Sequence, residues 1–142
     1  MLGEKSYYPE NEVLPKKCLF AQYHSPQTEE RKHEILAQLQ ASNEAKVPRV
    51  VFATVAIGMG VNIPDVRHVI HIGPPRTLES YYQEIGRAGK DSKPAVASLF
   101  YNGHDIASNK PGMTDEMRNF CREKTECLRK IILQYLGSPT MT

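Results

Sequence analysis

The chain has 142 residues, 40% of them hydrophobic and 24% charged, which is enough apolar sequence for one globular domain. Its net charge of +2 is too small to indicate a nucleic-acid partner, so any basic footprint has to be local. No run approaches the roughly 18 apolar residues of a membrane span, and the first residues lack the apolar segment of a signal peptide. The three cysteines, Cys18, Cys121 and Cys127, are an odd and scattered set, which suits a reducing compartment, either cytosol or nucleus.

The N-terminal half of the chain predicts one strand–helix–strand unit. Residues 1–16 are polar and show no regular apolar period, so we predict an irregular segment there. Residues 18–23 and 50–53 are short apolar runs typical of buried strands. Between them, Ser25 and Pro26 fit the N-cap and first position of a helix that we predict to extend to about residue 42. Two strands joined by a helix indicate a parallel sheet.

The C-terminal half repeats this pattern and then becomes helical. We predict strands at residues 66–72 and 95–101, with a helix over 77–88 between them. From residue 115 to about 136 the apolar period is helical, with an interruption near Lys124, and Gly137 is typical of a helix stop. The predicted fold class is therefore α/β, with a mainly parallel sheet flanked by helices and a C-terminal helical extension.

The helix predicted over 77–88 has two distinct faces. At about 100° per residue, one apolar stripe contains Leu78, Tyr82 and Ile85. A second stripe of the same spacing, roughly 140° away, contains Gln83, Arg87 and Lys90. A solvated polar face would explain these charges alone, but it gains nothing from the two nearby glycines, each of which costs about 1 kcal/mol in a helix. We therefore predict that this face is turned towards an anionic ligand.

Other site patterns fit poorly. Gly58 and Gly60 follow a strand, as in a dinucleotide-binding loop, but Ile63 occupies the third glycine position. A Walker A loop needs Ser or Thr after its Gly–Lys pair, where this chain has Asp91. The histidines and cysteines show no zinc-site spacing, no G-x-S-x-G elbow exists, and we expect His71, on a predicted strand, to be buried or hydrogen-bonded. The chain alone therefore cannot hold a nucleotide's β- and γ-phosphates together with Mg²⁺.

Two stretches resemble sequence motifs of RecQ-like DNA helicases. Residues 53–62 (ATVAIGMGVN) resemble motif V, and residues 82–91 (YQEIGRAGKD) resemble motif VI, at about the separation found in that family. Residues 22–25 (QYHS) are similar to a Tyr-His-centred segment near DNA, and residues 127–137 resemble the opening of the family's zinc-binding subdomain. The resemblance covers residues 18 to 137. It implies the second RecA-like lobe of a superfamily 2 ATP-dependent DNA helicase of 3′-to-5′ polarity.

The same resemblance implies roles for individual residues. Two predicted catalytic residues are Arg87, which would contact phosphate across the interlobe cleft, and Lys90, at the arginine-finger position. Gln83 would couple nucleotide state to lobe closure and is grouped with Gly58 and Asn62 as nucleotide-binding. The predicted DNA contacts are Thr54, His24 and Ser25.

The resemblance to RecQ-like helicases also implies the ligands and partners of the chain. ATP and Mg²⁺ would be shared with a first RecA-like lobe, and DNA, single-stranded or at a junction, would be the nucleic-acid partner. We predict no membrane partner, no metal site and no zinc on this chain. The implied location is the nucleus.

The sequence departs from the family in three ways. Position 90 is lysine where the family has arginine, and a point charge cannot reproduce a bidentate fork on the γ-phosphate. Too few residues precede Cys18 for the opening strand and helix, and the first lobe and remaining zinc cysteines are missing. We therefore expect a helicase fragment that hydrolyses no ATP alone. Its segments would be residues 1–16, irregular; 17–111, an N-terminally incomplete second lobe; and 112–142, the helical start of a zinc-binding subdomain. The alternative is a non-catalytic module that binds nucleic acid or protein.

Overall fold

The computed structural model of the protein describes residues 3–9, 12–41, 47–54 and 62–137. The chain divides into two units, Met1–Ile63 and Pro64–Thr142. Each unit contains one pair of parallel strands joined by a helix. The predicted α/β class with parallel strands is therefore confirmed. Within the described ranges, no helix is long and apolar enough to cross a membrane.

The first unit is built on a two-stranded parallel ladder. Strands β1 (Phe20–Tyr23) and β2 (Val50–Ala53) pair along their whole length, from Phe20 opposite Val50 to Tyr23 opposite Ala53. Helix α1 (Glu29–Gln40) joins them and buries Ile35 and Leu39 in the same cluster as Ala21 and Tyr23. Two short 3₁₀ helices, Gly3–Ser6 and Pro15–Lys17, precede the ladder.

Helix α1 begins three residues later than the sequence predicts. Its N-cap is Thr28, whose side-chain oxygen accepts a hydrogen bond from the Arg31 amide at 3.4 Å. Glu29 and Glu30 then fill the first turn, where negative charge is favoured by the helix dipole. The prediction that Ser25 caps this helix is wrong, because Thr28 provides a cap next to that acidic turn. Ser25 therefore lies in the turn that precedes α1.

The second unit repeats the arrangement. Strands β3 (His68–Ile72) and β4 (Val96–Phe100) pair in parallel, and helix α2 (Leu78–Ile85) lies between them in the chain. Successive residues of β3 alternate between the exposed and half-buried classes, as expected when alternate side chains of a strand point to opposite faces. Val69 and His71 are on the more buried face.

The C-terminal extension consists of helices α3 (Asp115–Arg122) and α4 (Leu128–Tyr135), so the predicted interruption near Lys124 is confirmed. The Glu123 carboxylate occupies this break. It accepts hydrogen bonds from the Thr125 hydroxyl and from the three following backbone amides. These bonds, that of the Thr125 hydroxyl foremost, lower the pKa of Glu123 to about 2. Gly137, with φ of 72°, follows α4 as predicted.

The extension completes the core of the second unit. Buried side chains from α2, α3, α4 and the segment after β4 form one cluster: Leu78, Tyr81, Ile106, Met113, Met117, Phe120, Cys121 and Ile132. The buried Arg118 guanidinium donates to the Ala107, Ser108 and Lys110 carbonyls and to the Asp115 carboxylate, which ties the loop after β4 to α3. Helices α3 and α4 are thus part of one folding unit with α2.

Candidate functional site

Helix α2 carries the first part of the predicted phosphate-facing surface. Thr77 caps it by accepting a hydrogen bond from the Ser80 amide at 3.2 Å. Leu78 and Tyr81 are buried, whereas Tyr82 is 44% exposed. The predicted apolar stripe is therefore wrong in one member, because the 78–81–85 spacing is as helical as 78–82–85 and Tyr81 is the residue that packs into the core.

The helix ends at Ile85, earlier than the sequence predicts. Gly86 is its C-cap, and the residues from Gly86 to Ser92 form turns and a bend. Gly89 has φ of 71°, a conformation that glycine adopts without strain and that a helix excludes. The prediction that Gln83, Arg87 and Lys90 share one helical face is therefore wrong: Gln83 is on α2, and the two cations are in the turn that follows it. Gln83 and Lys90 are exposed, and Arg87 is half-buried and has an interaction partner.

A buried polar pair connects α2 to β3. His71 Nε2 lies 2.7 Å from Glu84 Oε2, and their side chains are 10% and 20% exposed. The His71 ring is 5.2 Å from the Tyr81 ring, which is 5.3 Å from the ring of Phe120. The prediction that His71 is buried or hydrogen-bonded is confirmed. Since Glu84 is adjacent to Gln83, this pair holds the end of α2 that presents the Gln83 amide.

A second connection links the turn after α2 to the start of β3. The Gly89 amide donates to the Val66 carbonyl at 3.1 Å. The Arg67 guanidinium donates to the Asp91 carboxylate through Nη2 and to the Pro94 carbonyl through Nη1 at 2.9 Å. Although partial burial acts to raise it, the hydrogen bond from Arg67 and further bonds lower the pKa of Asp91 below its usual value.

The opposite end of α2 is connected to the C-terminal extension. The Tyr135 hydroxyl of α4 donates to Glu79 Oε1 at 2.7 Å. This bond lowers the pKa of the Glu79 carboxyl and raises that of the Tyr135 hydroxyl. Helix α2 is therefore held by polar contacts at both ends and by the apolar cluster beneath it.

The predicted DNA contacts belong to the first unit, where the structure brings them to one edge. Tyr23 and Ala53 are the last paired residues of β1 and β2, so His24 and Thr54 follow the two strands side by side. The Thr54 amide donates to the Tyr23 carbonyl at 3.2 Å. Thr54 and Ser25 are exposed and His24 is half-buried. The carboxyl edge of parallel strands is where α/β proteins commonly bind ligands.

A lysine missed by the sequence reasoning joins this edge. The Lys32 ammonium donates to the Ser25 carbonyl at 3.1 Å and to the Glu29 carboxylate at 2.8 Å. From the sequence, Lys32 belongs to a solvated helical face, and its seven-residue distance from Ser25 gives no helical signal because α1 starts between them. The other missed residues are Arg67 and Glu84, whose partners are distant in sequence.

The structure gives little information on the nucleotide-binding role predicted for Gly58 and Asn62. Gly58 lies outside the described residues. Asn62 is exposed, and its carbonyl accepts a hydrogen bond from Gln40 Nε2 at 3.4 Å. Among the described residues, no three His, Cys, Asp or Glu side chains are grouped so that they could hold a metal ion.

Comparisons with known proteins agree with the resemblance to helicases. Residues 4–92 match the family model of the helicase conserved C-terminal domain. The ATP-dependent DNA helicase RecQ of Pasteurella multocida is 36% identical over 141 residues, covering 89% of this chain and 22% of that protein. RecQ of Haemophilus influenzae is 40% identical over 109 residues, covering 66% and 17%. The RecQ-like DNA helicase BLM of Xenopus laevis is 38% identical over 106 residues, covering 63% and 8%.

The chain thus spans less than a quarter of the length of each of these relatives. The family match covers more than half of the chain and includes both stretches that resemble helicase motifs. These three relatives are RecQ and RecQ-like DNA helicases from two bacteria and one eukaryote. The chain therefore belongs to the helicase conserved C-terminal domain family, among the RecQ-type helicases.

Proposed function

We propose that this chain is the second motor lobe of an ATP-dependent 3′-to-5′ DNA helicase of the RecQ type. The observation that carries the proposal is the glycine-containing turn after α2, with the exposed Gln83 before it and the exposed Lys90 within it, in a chain of the helicase C-terminal domain family. Such a turn can approach a ligand held by another domain, because glycine has no side chain to keep the ligand away from the backbone. The partner would be a first RecA-like lobe.

The chain's own residues would act on the phosphates of ATP. Lys90 and Arg87 would place positive charge where negative charge develops on the transferred phosphoryl group, and Gln83 would report the nucleotide state to the lobe. In phosphoryl transfer, a cation supplied by a neighbouring domain is worth roughly 10³ to 10⁵ in rate. Arg87 is half-buried and has an interaction partner, whereas Lys90 is exposed.

In this proposal, the ligands of the magnesium ion lie outside this chain. When bound with ATP, Mg²⁺ would neutralise charge on the β- and γ-phosphates. The described ranges contain no group of three acidic, histidine or cysteine side chains for a metal, so we assign its ligands to the first lobe. This chain would supply an amide, Gln83, and two cations.

DNA would lie along the carboxyl edge of β1 and β2. His24, Ser25 and Thr54 meet at this edge and offer hydroxyl, imidazole and backbone groups, and Lys32 adds a cation beside them. Groups of this kind bind sugar–phosphate and position DNA without reading its sequence. The nucleus as the location remains a prediction.

The test is ATP hydrolysis in a hybrid protein. The chain is joined to the first lobe of the H. influenzae RecQ relative, and DNA-dependent hydrolysis is measured for the first lobe alone, the chain alone and the hybrid. We expect turnover only in the hybrid, and an Arg87→Ala hybrid should lose at least about tenfold of it. Arg129→Ala, which changes an exposed arginine of α4, is the matched control. Hydrolysis by the chain alone, or a folded hybrid no faster than the first lobe, would refute the proposal.

One observation favours a second candidate, a non-catalytic module that binds nucleic acid or protein. Lys90 stands where the resemblance expects arginine, and lysine cannot form a bidentate contact with phosphate. This candidate predicts that the chain binds single-stranded DNA while the folded hybrid remains inactive. The same hybrid therefore separates the two functions.

A further inference from the structure

The turn that carries Lys90 should be loose on sequence grounds alone. It contains Gly86 and Gly89, and glycine has the largest conformational freedom in an unfolded segment. Lys90 itself is exposed and makes no ion pair within the described ranges. A side chain on a loose turn would be a poor ligand for one phosphate oxygen, because holding it in place costs conformational entropy.

The structure holds this turn immediately before Lys90. The Gly89 amide donates to the Val66 carbonyl at 3.1 Å. The fit is close on the other side too, since a Cβ added to Gly89 would lie 3.3 Å from both Ala95 Cβ and the Lys93 carbonyl. The backbone that enters Lys90 is therefore fixed to the segment before β3.

The turn is also held immediately after Lys90. Arg67 donates to the Asp91 carboxylate, to the Pro94 carbonyl at 2.9 Å and to the Asp65 carbonyl at 3.3 Å. The Lys93 amide adds a bond to the same Asp91 oxygen at 3.3 Å. One planar guanidinium thus joins Asp91 and Pro94 to the chain before β3, through N–H donors held in a fixed planar geometry that a lysine ammonium lacks.

We propose that Arg67 is a positioning residue that fixes the backbone around Lys90 and thereby directs the lysine towards phosphate. Arg67 follows Val66, so both anchors of the turn belong to adjacent residues at the start of β3. Arg67 itself does not touch the nucleotide. The functional half of this inference rests on the proposed motor function, whereas the structural half concerns the chain alone.

The structural half is tested by hydrogen exchange of the Gly89 amide in the 142-residue chain. Arg67→Gln should speed exchange at Gly89 by roughly three- to tenfold, the effect of losing partly exposed charged hydrogen bonds beside it. Asp91→Asn should give a smaller increase and Arg67→Lys an intermediate one. Arg129→Gln, on exposed α4 surface, should change nothing. Unchanged exchange at Gly89 in Arg67→Gln would overturn the proposal.

The functional half is tested in the hybrid with a first lobe. Arg67→Gln should lower kcat about tenfold and leave KM for ATP within about twofold, because Lys90 acts on charge that develops in the transition state. Arg67→Lys should restore part of kcat. A change in KM alone, or a loss of kcat that matches the unfolded fraction in a thermal scan, would overturn positioning. If the unmutated hybrid hydrolyses no ATP, the motor function fails, and the exchange result still decides whether Arg67 fixes the turn.

Discussion

The pair formed by His71 and Glu84 gives the most direct test of how α2 is held. Both side chains are largely buried, and 2.7 Å separates His71 Nε2 from Glu84 Oε2. The second ring nitrogen of His71 is also buried and has no hydrogen-bond partner in the described part of the chain. Glu84→Ala therefore leaves the whole imidazole without a polar partner.

The expected cost follows from that loss. A buried polar group left unsatisfied costs about 1 to 3 kcal/mol, and a unit of this size loses roughly 4 to 8 °C of thermal midpoint per kcal/mol. Glu84→Ala should therefore lower the midpoint by roughly 5 to 20 °C. Glu84→Gln keeps a hydrogen-bonding group at the same place and should lose clearly less.

The assay is thermal unfolding followed by circular dichroism near pH 7. Glu126→Ala is the matched control, since it removes an exposed pair with Lys130 at 3.5 Å and should cost less than about 0.5 kcal/mol. If Glu84→Ala and Glu126→Ala shift the midpoint equally, the pair does not stabilise α2 and the reasoning is refuted.

Three further predictions concern other parts of the chain. Glu123→Gln should lower the thermal midpoint at pH 7. The pKa of Glu123 is about 2 in the folded chain and 4.5 ordinarily. The difference in midpoint between the variant and the unmutated chain should therefore be full above pH 4.5 and disappear as the pH falls towards 2. An equal difference at pH 7 and pH 2 would contradict this. Arg118→Lys, which keeps the charge but loses the fork to three carbonyls, should cost about 2 kcal/mol in urea unfolding. The exposed Arg122→Lys should be neutral, and equal costs would count against the burial argument. Lys90→Arg should raise the hydrolysis rate of the hybrid, and no change or a fall would exclude the arginine-finger position for this residue.

The strands and helices of this chain are readable because their signals are local. The strand at Val50–Ala53 lies where its apolar run predicts it, and the break between α3 and α4 falls near Lys124 as expected. The observed end of α2, at Ile85, differs from the predicted one for a physical reason. The sequence of residues 86–90 continues the helical spacing of polar residues. Gly86 nevertheless ends the helix, and Gly89 takes a left-handed conformation that the spacing of residue types does not reveal.

The candidate site was predictable only in part. The sequence predicts Gln83, Arg87 and Lys90 as one group; Gln83 lies on α2 and the two cations lie in the turn that follows, and their shared role stays a prediction. Sequence reasoning could not identify Arg67, because an arginine 24 residues before Asp91 gives no signal until β3 and the turn are folded together. It also could not choose between Tyr81 and Tyr82, since Tyr81 is buried against the rings of His71 and Phe120, which lie far from it in sequence.

The helical extension has a practical consequence for anyone who expresses this protein in pieces. The family match ends at residue 92, yet Met117, Phe120 and Ile132 supply part of the apolar cluster around Leu78 and Tyr81. A gene truncated after residue 92 would lack these three side chains and would expose the apolar face of α2 to water. Such a shortened product would be prone to aggregate, and its failure to work would say nothing about the motor.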